Sequence, residues 1–589
     1  MVKNIWPPKA MAGESLYSFW PTGIITNIVI ILKTMNRRTL LGLAPKAPPV
    51  RPVKQATRFH PPAPVDSGLE PYQGPWELSQ VAHLLRRLLF GAKWEDVQFF
   101  LQLSPPEAVN QLLTAPAEPP PVPVNDYNDD NFTDPEAPFG EPWLEAPKID
   151  FIEERRIKSL KAWWLGNLIE QGRSILEKMV VFWHNHIPVE FIAVFFGRWN
   201  HRYVDTLRTH ALGNYKALVR AITLDPAMLH YLNGQLNSAG APDENYGREL
   251  QELFCIGKGP DSAYTEGDVQ SAARVLTGWR VNYETDEVYF EPSAHDTNDK
   301  QFSAFYGNTL IAGRTGEDGA LELDEMLDMI FANAECAPFL CRKLYRFFVH
   351  QEIDNLTEEL VILPLAEILR NNNYEIFPVL EALFNSQHFF DYLAKGAMIK
   401  SPLDFICGLY QEFNTPIPPR DLFSDRFQYN STLVGVCTRA DLDLGDPPHV
   451  AGWPAYYQLP MFVKHWITTS SMPRRAEFID WILWSGISTE GFYSQLDVLA
   501  AVSQLPNPGD PNVLIDTVLA WLYSMEVADE FRLELKSILL SGQVSDYYWT
   551  DAWAAYAFNP DDPMARDVVH NRLQSFFHTI LQQAEYQLC

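Results

Sequence analysis

The sequence predicts a mainly α protein, a large multi-helix globular body with long proline-rich loops and a small β-hairpin excursion. Three observations point there. Apolar residues recur three and four positions apart along most of the chain after Trp76, the period of helices with one buried face. Proline tracts at 45–64 and 116–123 interrupt that pattern and hold the intervening chain out of regular structure. Shorter spacing of the kind found in strands is confined to Val281, Tyr283, Val288 and Phe290.

The 589 residues exceed an ordinary domain, and 47% hydrophobic with 13% aromatic content supplies a substantial core. A formal charge of −28 argues against a nucleic-acid groove or an anionic membrane surface, both of which need clustered Lys and Arg, so neither a nucleic-acid partner nor strong membrane insertion is expected. It suits divalent cations and neutral polymers. Six cysteines form neither a Cys-x-x-Cys nor a zinc-ribbon pattern, and Cys336 and Cys341 are expected as buried thiols, with pairing open to them after export. There is no Walker loop, no dinucleotide-binding glycine fingerprint and no Gly-x-Ser-x-Gly elbow.

Residues 1–34 differ from the rest of the chain. The apolar run at 24–32 is broken by Thr26 and Asn27 and falls short of the ~18 residues of a spanning helix. Met35 opens Met-Asn-Arg-Arg-Thr-Leu-Leu-Gly-Leu, which is similar to a twin-arginine export signal, within a segment that is basic and free of acidic residues up to His60. Residues 1–34 are therefore expected to be a misassigned upstream extension or an anchor, 35–75 an export signal and linker, and 76–589 one large helical domain. The expected location is the periplasm or cell envelope.

Within the body, helices are expected at 78–90, carrying His83, Arg86 and Arg87, and from Trp94. The loop at 125–134 repeats the first ligand positions of a calcium loop in Asp126, Asn128 and Asp130. Asn131 in place of the turn glycine excludes an EF-hand. A helix at 151–169 places Arg155, Arg156, Trp163 and Trp164 to pack and pair.

The stretch from Ser174 to Gly257 organises the functional reading. At its start Phe182-Trp183-His184-Asn185-His186 falls where an amphipathic helix should run out before Pro188. On a continuing helix His184 and His186 would point about 200° apart, whereas in an extended exit segment they face the same way and can share a metal ion. At its end, Arg248-Glu249-Leu250-Gln251-Glu252-Leu253-Phe254 puts Glu249 and Glu252 on one helical face, where Arg248 can pair with Glu252. Asp225-Pro226 and Thr265 through Asp268 read as helix N-caps, and Val269 leads a helix to Trp279. The strand-like excursion beyond that helix holds His295 and Asp296. Helices resume from Leu321, with Ser401-Pro402 opening one of them. Gly445-Asp446-Pro447-Pro448-His449-Val450-Ala451-Gly452-Trp453-Pro454 is a turn-rich loop that presents Asp446, His449 and Trp453. From Trp466 the chain again reads as helical.

These segments resemble a bacterial family known as domain of unknown function 1800. The matching pieces are Leu84-Leu85-Arg86-Arg87-Leu88-Leu89-Phe90-Gly91-Ala92, the Phe182 and Arg248 segments, Ala273-Arg274-Val275-Leu276-Thr277-Gly278-Trp279, His295-Asp296, Arg342-Lys343-Leu344-Tyr345, Ile399-Lys400-Ser401-Pro402 and the loop from Pro447 to Pro454, spanning roughly 76–480. The resemblance implies an exported, mostly helical protein, often encoded beside a sulfatase-like partner of the domain of unknown function 1501 family, and implies no established reaction. Pro454-Ala455-Tyr456-Tyr457 looks like the version in Bacteroidota-type relatives.

Two functions compete. The first is a metal-dependent hydrolase of the cell envelope, with His184, His186 and His295 as ligands of a divalent metal ion and Glu249 or Asp296 as the base that activates water. The second is a non-catalytic envelope protein that binds a polysaccharide or a partner through Asp446, His449, Trp453, Tyr456 and Tyr457. The first requires the His184/His186, Glu249/Glu252 and His295/Asp296 clusters to converge on one polar pocket.

Overall fold

A computed structural model describes residues 67–453 and 466–589. The Arg37-Arg38 pair, the connector at 45–64, and Tyr456 and Tyr457 lie outside the described residues. The described chain is mainly helical, and its strands form three two-stranded antiparallel sheets. Two of these are the expected excursion, pairing Trp279–Val281 with Val288–Phe290 and Lys300–Gln301 with Leu310–Ile311. The third, Ile487–Ser488 with Tyr493–Ser494, interrupts the stretch after Trp466 that reads as helix throughout. None of the described helices is long and apolar enough to cross a membrane.

The first helix, Leu78–Leu88, buries its apolar stripe at Val81, Leu84, Leu85 and Leu88 and also buries both arginines of its motif. A buried guanidinium needs acceptors, and these come from distant chain. Arg86 donates to the carbonyls of Trp521 (2.7 Å) and Tyr523 (3.2 Å), and Arg87 to those of Val349 (3.1 Å) and Ala394 (2.8 Å). This helix therefore ties the start of the body to its C-terminal half. The end of the chain is tied in the same way. Lys400 N–H donates to the Gln587 carbonyl (2.8 Å), Cys589 N–H to Met398 (2.9 Å), and Arg475 to the Lys400 carbonyl (2.8 Å).

The helix Asp150–Glu170 crosses Phe423–Arg439, an element the sequence pattern does not reveal because its buried positions include Arg426, Tyr429 and Asn430. Arg156, on the first of these helices, is 1% exposed and lies 2.9 Å from both Asp134 and Glu153. Arg155 pairs with Asp129 at 3.0 Å. The acidic loop at 125–134 thus takes its positive charge from two arginines, as the packing role predicted for them implies.

The predicted caps form. Asp225 accepts from Ala227 N–H (2.9 Å), Ser401 shares a capping box with Asp404, and Thr265 shares one with Asp268. All six cysteines are buried free thiols, and Cys336 and Cys341 stand five residues apart on the helix Cys336–Phe348.

Candidate functional site

The two histidines of the Phe182 segment do not leave their helix. Leu176–His186 runs through both, and the chain departs only at Ile187. They therefore point away from each other, as a spacing of two on a helix requires. His184 is fully buried, with Nδ1 3.0 Å from the Tyr203 hydroxyl oxygen. Because Tyr203 O–H donates to the Ile187 carbonyl (2.7 Å), the imidazole is the donor at Nδ1. Its Nε2 has no partner among the described residues and stands among the rings of Trp164, Phe191 and Trp453. Burial, with Lys161 adding repulsion, pushes the His184 pKa down to about 3.

His186 faces another part of the core. Its Nε2 donates to the Phe254 carbonyl at 3.0 Å, beside the Tyr215 hydroxyl that bonds the same carbonyl. Burial and the nearby Lys343 charge hold it well below the usual histidine range. Both rings are thus neutral spacers that satisfy buried hydroxyl and carbonyl groups.

His295 and Asp296 sit on the hairpin excursion with committed partners. His295 Nδ1 donates to the Thr277 carbonyl at 2.9 Å, and its Nε2 lies 3.2 Å from Glu322 Oε1, an electrostatic contact off the line of a hydrogen bond. Glu322 is in turn 2.5 Å from Lys300, and both are fully buried. Although burial alone raises the Asp296 pKa, hydrogen bonds from Arg274 and Asn298 hold it well below the ordinary carboxylate value, so it is a poor base. Among the described residues no group of three or more His, Cys, Asp or Glu side chains is placed to hold a metal ion. His184, His186 and His295 answer to three different sets of partners, and this donor set does not fit one shared cation.

Glu249 behaves differently. It is the last residue of the helix Asn245–Glu249, directly before a π-helix at Leu250–Cys255, a widening of the helix that occurs often at functional sites. Arg248 pairs with Glu244 (2.9 Å) and Glu266 (2.7 Å), in place of the Glu252 expected on regular helical spacing. Glu252 pairs with Lys258 at 2.5 Å. The Glu249 carboxyl has no hydrogen bond or ion pair among the described residues. Burial first, and then repulsion by Glu252, push its pKa up to about 7.

Three loops bring further groups to this side. Tyr231, the last residue of Pro226–Tyr231, is half-buried, and its pKa is pushed up to about 12 by burial and by the charges of Glu190, Glu249 and Asp446. Glu190 precedes the short helix Phe191–Val194, and its pKa is raised by burial and by Asp446. Asp446 accepts from Ile192 N–H (2.8 Å) and forms an ion pair with Lys161, as does Asp443. Tyr231 therefore lies within electrostatic reach of Glu249 and also of Glu190 and Asp446, the last already paired with Lys161.

The loop that carries Asp446 is fixed by close backbone approach. Phe191 N–H donates to the Gly445 carbonyl (2.9 Å), and Trp453 N–H donates to Asn185 Oδ1 (2.7 Å). Gly452 adopts φ +83°, and a Cβ there would fall 2.2 Å from the Asn185 carbonyl oxygen. Only glycine fits that position. Trp453 is 6% exposed and packs 5.2 Å from the His184 ring, so it belongs to the wall behind the loop and is not offered to a ligand. His449 turns inward to its own loop, its Nδ1 accepting from Ala451 N–H at 3.3 Å.

Of the residues singled out from sequence, Glu249 and Asp446 both act on Tyr231. The structure keeps His295 and Asp296 in a separate hairpin cluster. Tyr231 and Glu190 carried no sequence signal, since each is a single residue at the edge of a short helix.

Fold and site together define a mainly α protein with an acidic cluster beside a π-helix. Residues 83–588 match the family described as Protein of unknown function (DUF1800), and the chain belongs to that family. The match extends past the motifs to the C-terminal region, where Arg86 holds the Trp521 and Tyr523 carbonyls. No curated protein and no solved structure matches the chain.

Proposed function

We infer that the protein is a hydrolase of the cell envelope that uses Glu249 as its general acid–base group. The observation that carries this reading is the Glu249 carboxyl directly before the π-helix, without an ion pair among the described residues, with a pKa near neutrality and with Tyr231 within its electrostatic reach. A carboxyl that is half-protonated near pH 7 can accept a proton from water and return it to a leaving group. Asp446 is held in an ion pair with Lys161 and is not the proton-transfer group of this reading. Tyr231, with its proton retained, serves as a donor to an oxygen of the substrate. The local charge favours a neutral or cationic substrate over an anionic one. No step is routed through a metal ion, because the histidine donors do not fit one.

Export from Met35 through Arg37 and Arg38 belongs to the same proposal, and a sulfatase-like partner is the companion that the family resemblance suggests. The test is a panel of chromogenic esters, phosphates, sulfates and glycosides assayed with the wild type and Glu249→Gln. A rate with an inflection near pH 7 that falls by ~10²–10⁴-fold in the variant supports the reading. Full activity in Glu249→Gln removes it. Exchange of Arg37 and Arg38 for Lys should hold the protein inside the inner membrane, and an unchanged location refutes the export signal.

A further inference from the structure

A second site lies apart from the acidic cluster, where the C-terminal end of Asp150–Glu170 meets the proline tract and the chain before Leu176–His186. It is a cavity of about 190 Å³, more than ten times the ~10–15 Å³ that one water needs. Its polar groups are unusual in what they leave unmet. Asn167 is 4% exposed, its Oδ1 accepts from Arg420 (2.9 Å), and its Nδ2 has no partner among the described residues. Both polar atoms of the Gln171 amide are likewise buried without a partner among the described residues. Buried amide groups are normally satisfied, so three such atoms on one wall call for a ligand with its own donors and acceptors.

Most charges in the same wall are already paired. Arg420 lies 2.5 Å from Glu170, Arg426 lies 2.8 Å from Glu170, and Arg208 grips Glu177 through two hydrogen bonds of 2.6 and 3.1 Å. What remains for a ligand is the neutral amide pair, with the Glu118 carboxyl at the same cavity, facing the apolar surfaces of Pro116, Pro120 and Leu176. That combination fits a compact molecule with several hydroxyl or amide groups on one side and C–H on the other, and gives no counter-charge to a phosphate or carboxylate. The proline tract is held in place for this by Trp163, whose indole N–H donates to the Pro121 carbonyl at 2.6 Å.

We propose that this cavity binds a neutral saccharide unit, with the Asn167 and Gln171 amides as the recognition groups. It stands independently of the catalytic reading of Glu249. Gly172 gives a clean test, because it is on the rim and a Cβ there meets nothing within 4 Å, so Gly172→Trp places an indole at the opening without disturbing the core. Glucose and N-acetylglucosamine are titrated against the full chain by saturation-transfer NMR, with inorganic phosphate as the anionic probe, read by its ³¹P line broadening. The expected result is transfer to the ring protons of at least one sugar, weakened at least ~10-fold in affinity by Gln171→Leu and abolished by Gly172→Trp, while thermal unfolding of Gly172→Trp matches the wild type. Absence of transfer from both sugars at ~10 mM overturns the proposal, as does undiminished transfer with Gly172→Trp. Saturable binding of phosphate in place of the sugars overturns the neutral-ligand assignment.

Discussion

Replacing Lys300 by Met tests whether His295 belongs to a structural ion cluster or to a reactive site. Lys300 and Glu322 are both fully buried, 2.5 Å apart, and Lys300 also donates to the Asp296 carbonyl. Methionine keeps most of the volume and removes the ammonium, leaving the Glu322 carboxylate with the Arg314 N–H (2.8 Å) and the His295 contact alone. Breaking a buried pair by removing one partner costs about 3–5 kcal/mol, since the remaining charge is left uncompensated. With an unfolding entropy of ~2.1 cal/mol/K per residue over roughly 500 ordered residues, that is a fall in Tm of about 3–5 °C. The assay is thermal unfolding of the wild type, Lys300→Met and the double variant Lys300→Met/Glu322→Gln. The double variant should recover part of the loss, because no buried charge is then left alone. A Tm unchanged in Lys300→Met, or a double variant less stable than Lys300→Met, refutes the structural account of the cluster.

Other perturbations give equally definite outcomes. His184 has its pKa lowered on folding, so the unfolded state binds its proton first and stability falls as pH drops from about 6.5 toward about 3. His184→Phe should therefore lose less stability than the wild type between those pH values, and parallel urea midpoints over that window contradict the buried neutral ring. Glu249 has its pKa raised on folding, so its contribution is present below the ordinary glutamate value and is lost as pH rises to about 7. Glu249→Gln should thus gain stability over the wild type at pH 8 and not at pH 4, which chemical denaturation at the two pH values checks. Gly452→Ala forces a Cβ to within 2.2 Å of the Asn185 carbonyl at positive φ and should lower stability by about 1–3 kcal/mol or more and change the emission of Trp453, read by denaturation and fluorescence.

The helical architecture was legible because apolar period and caps are local properties, as at Leu78–Leu88, Asp225-Pro226 and Ser401-Pro402. Phe423–Arg439 was not, since its buried face uses Arg426, Tyr429 and Asn430, whose burial is set by the Asp150–Glu170 helix it crosses. At the site, Glu249 and Asp446 stood out as acidic residues in dense motifs. That Asp446 reaches Tyr231 depends on the glycine contacts of the Gly445 to Trp453 loop with Phe191 and Asn185, which are long-range. The histidines misled because His-x-His signals a shared ion only where the backbone is extended, and a helix that continues one more residue turns the two rings apart. The aromatic character of Trp453 was visible, but its burial against His184 is set by tertiary packing alone.

The central claim is that Glu249 is the carboxyl poised near neutrality. It is tested most directly by labelling the glutamate side-chain carboxyls with ¹³C and following their resonances from pH 3 to 9 in the wild type and in Glu249→Gln. The expected result is a resonance with a midpoint at about 7 that is missing from the variant. A spectrum in which the Glu249 signal titrates at about 4.3, as in an unperturbed glutamate, contradicts it.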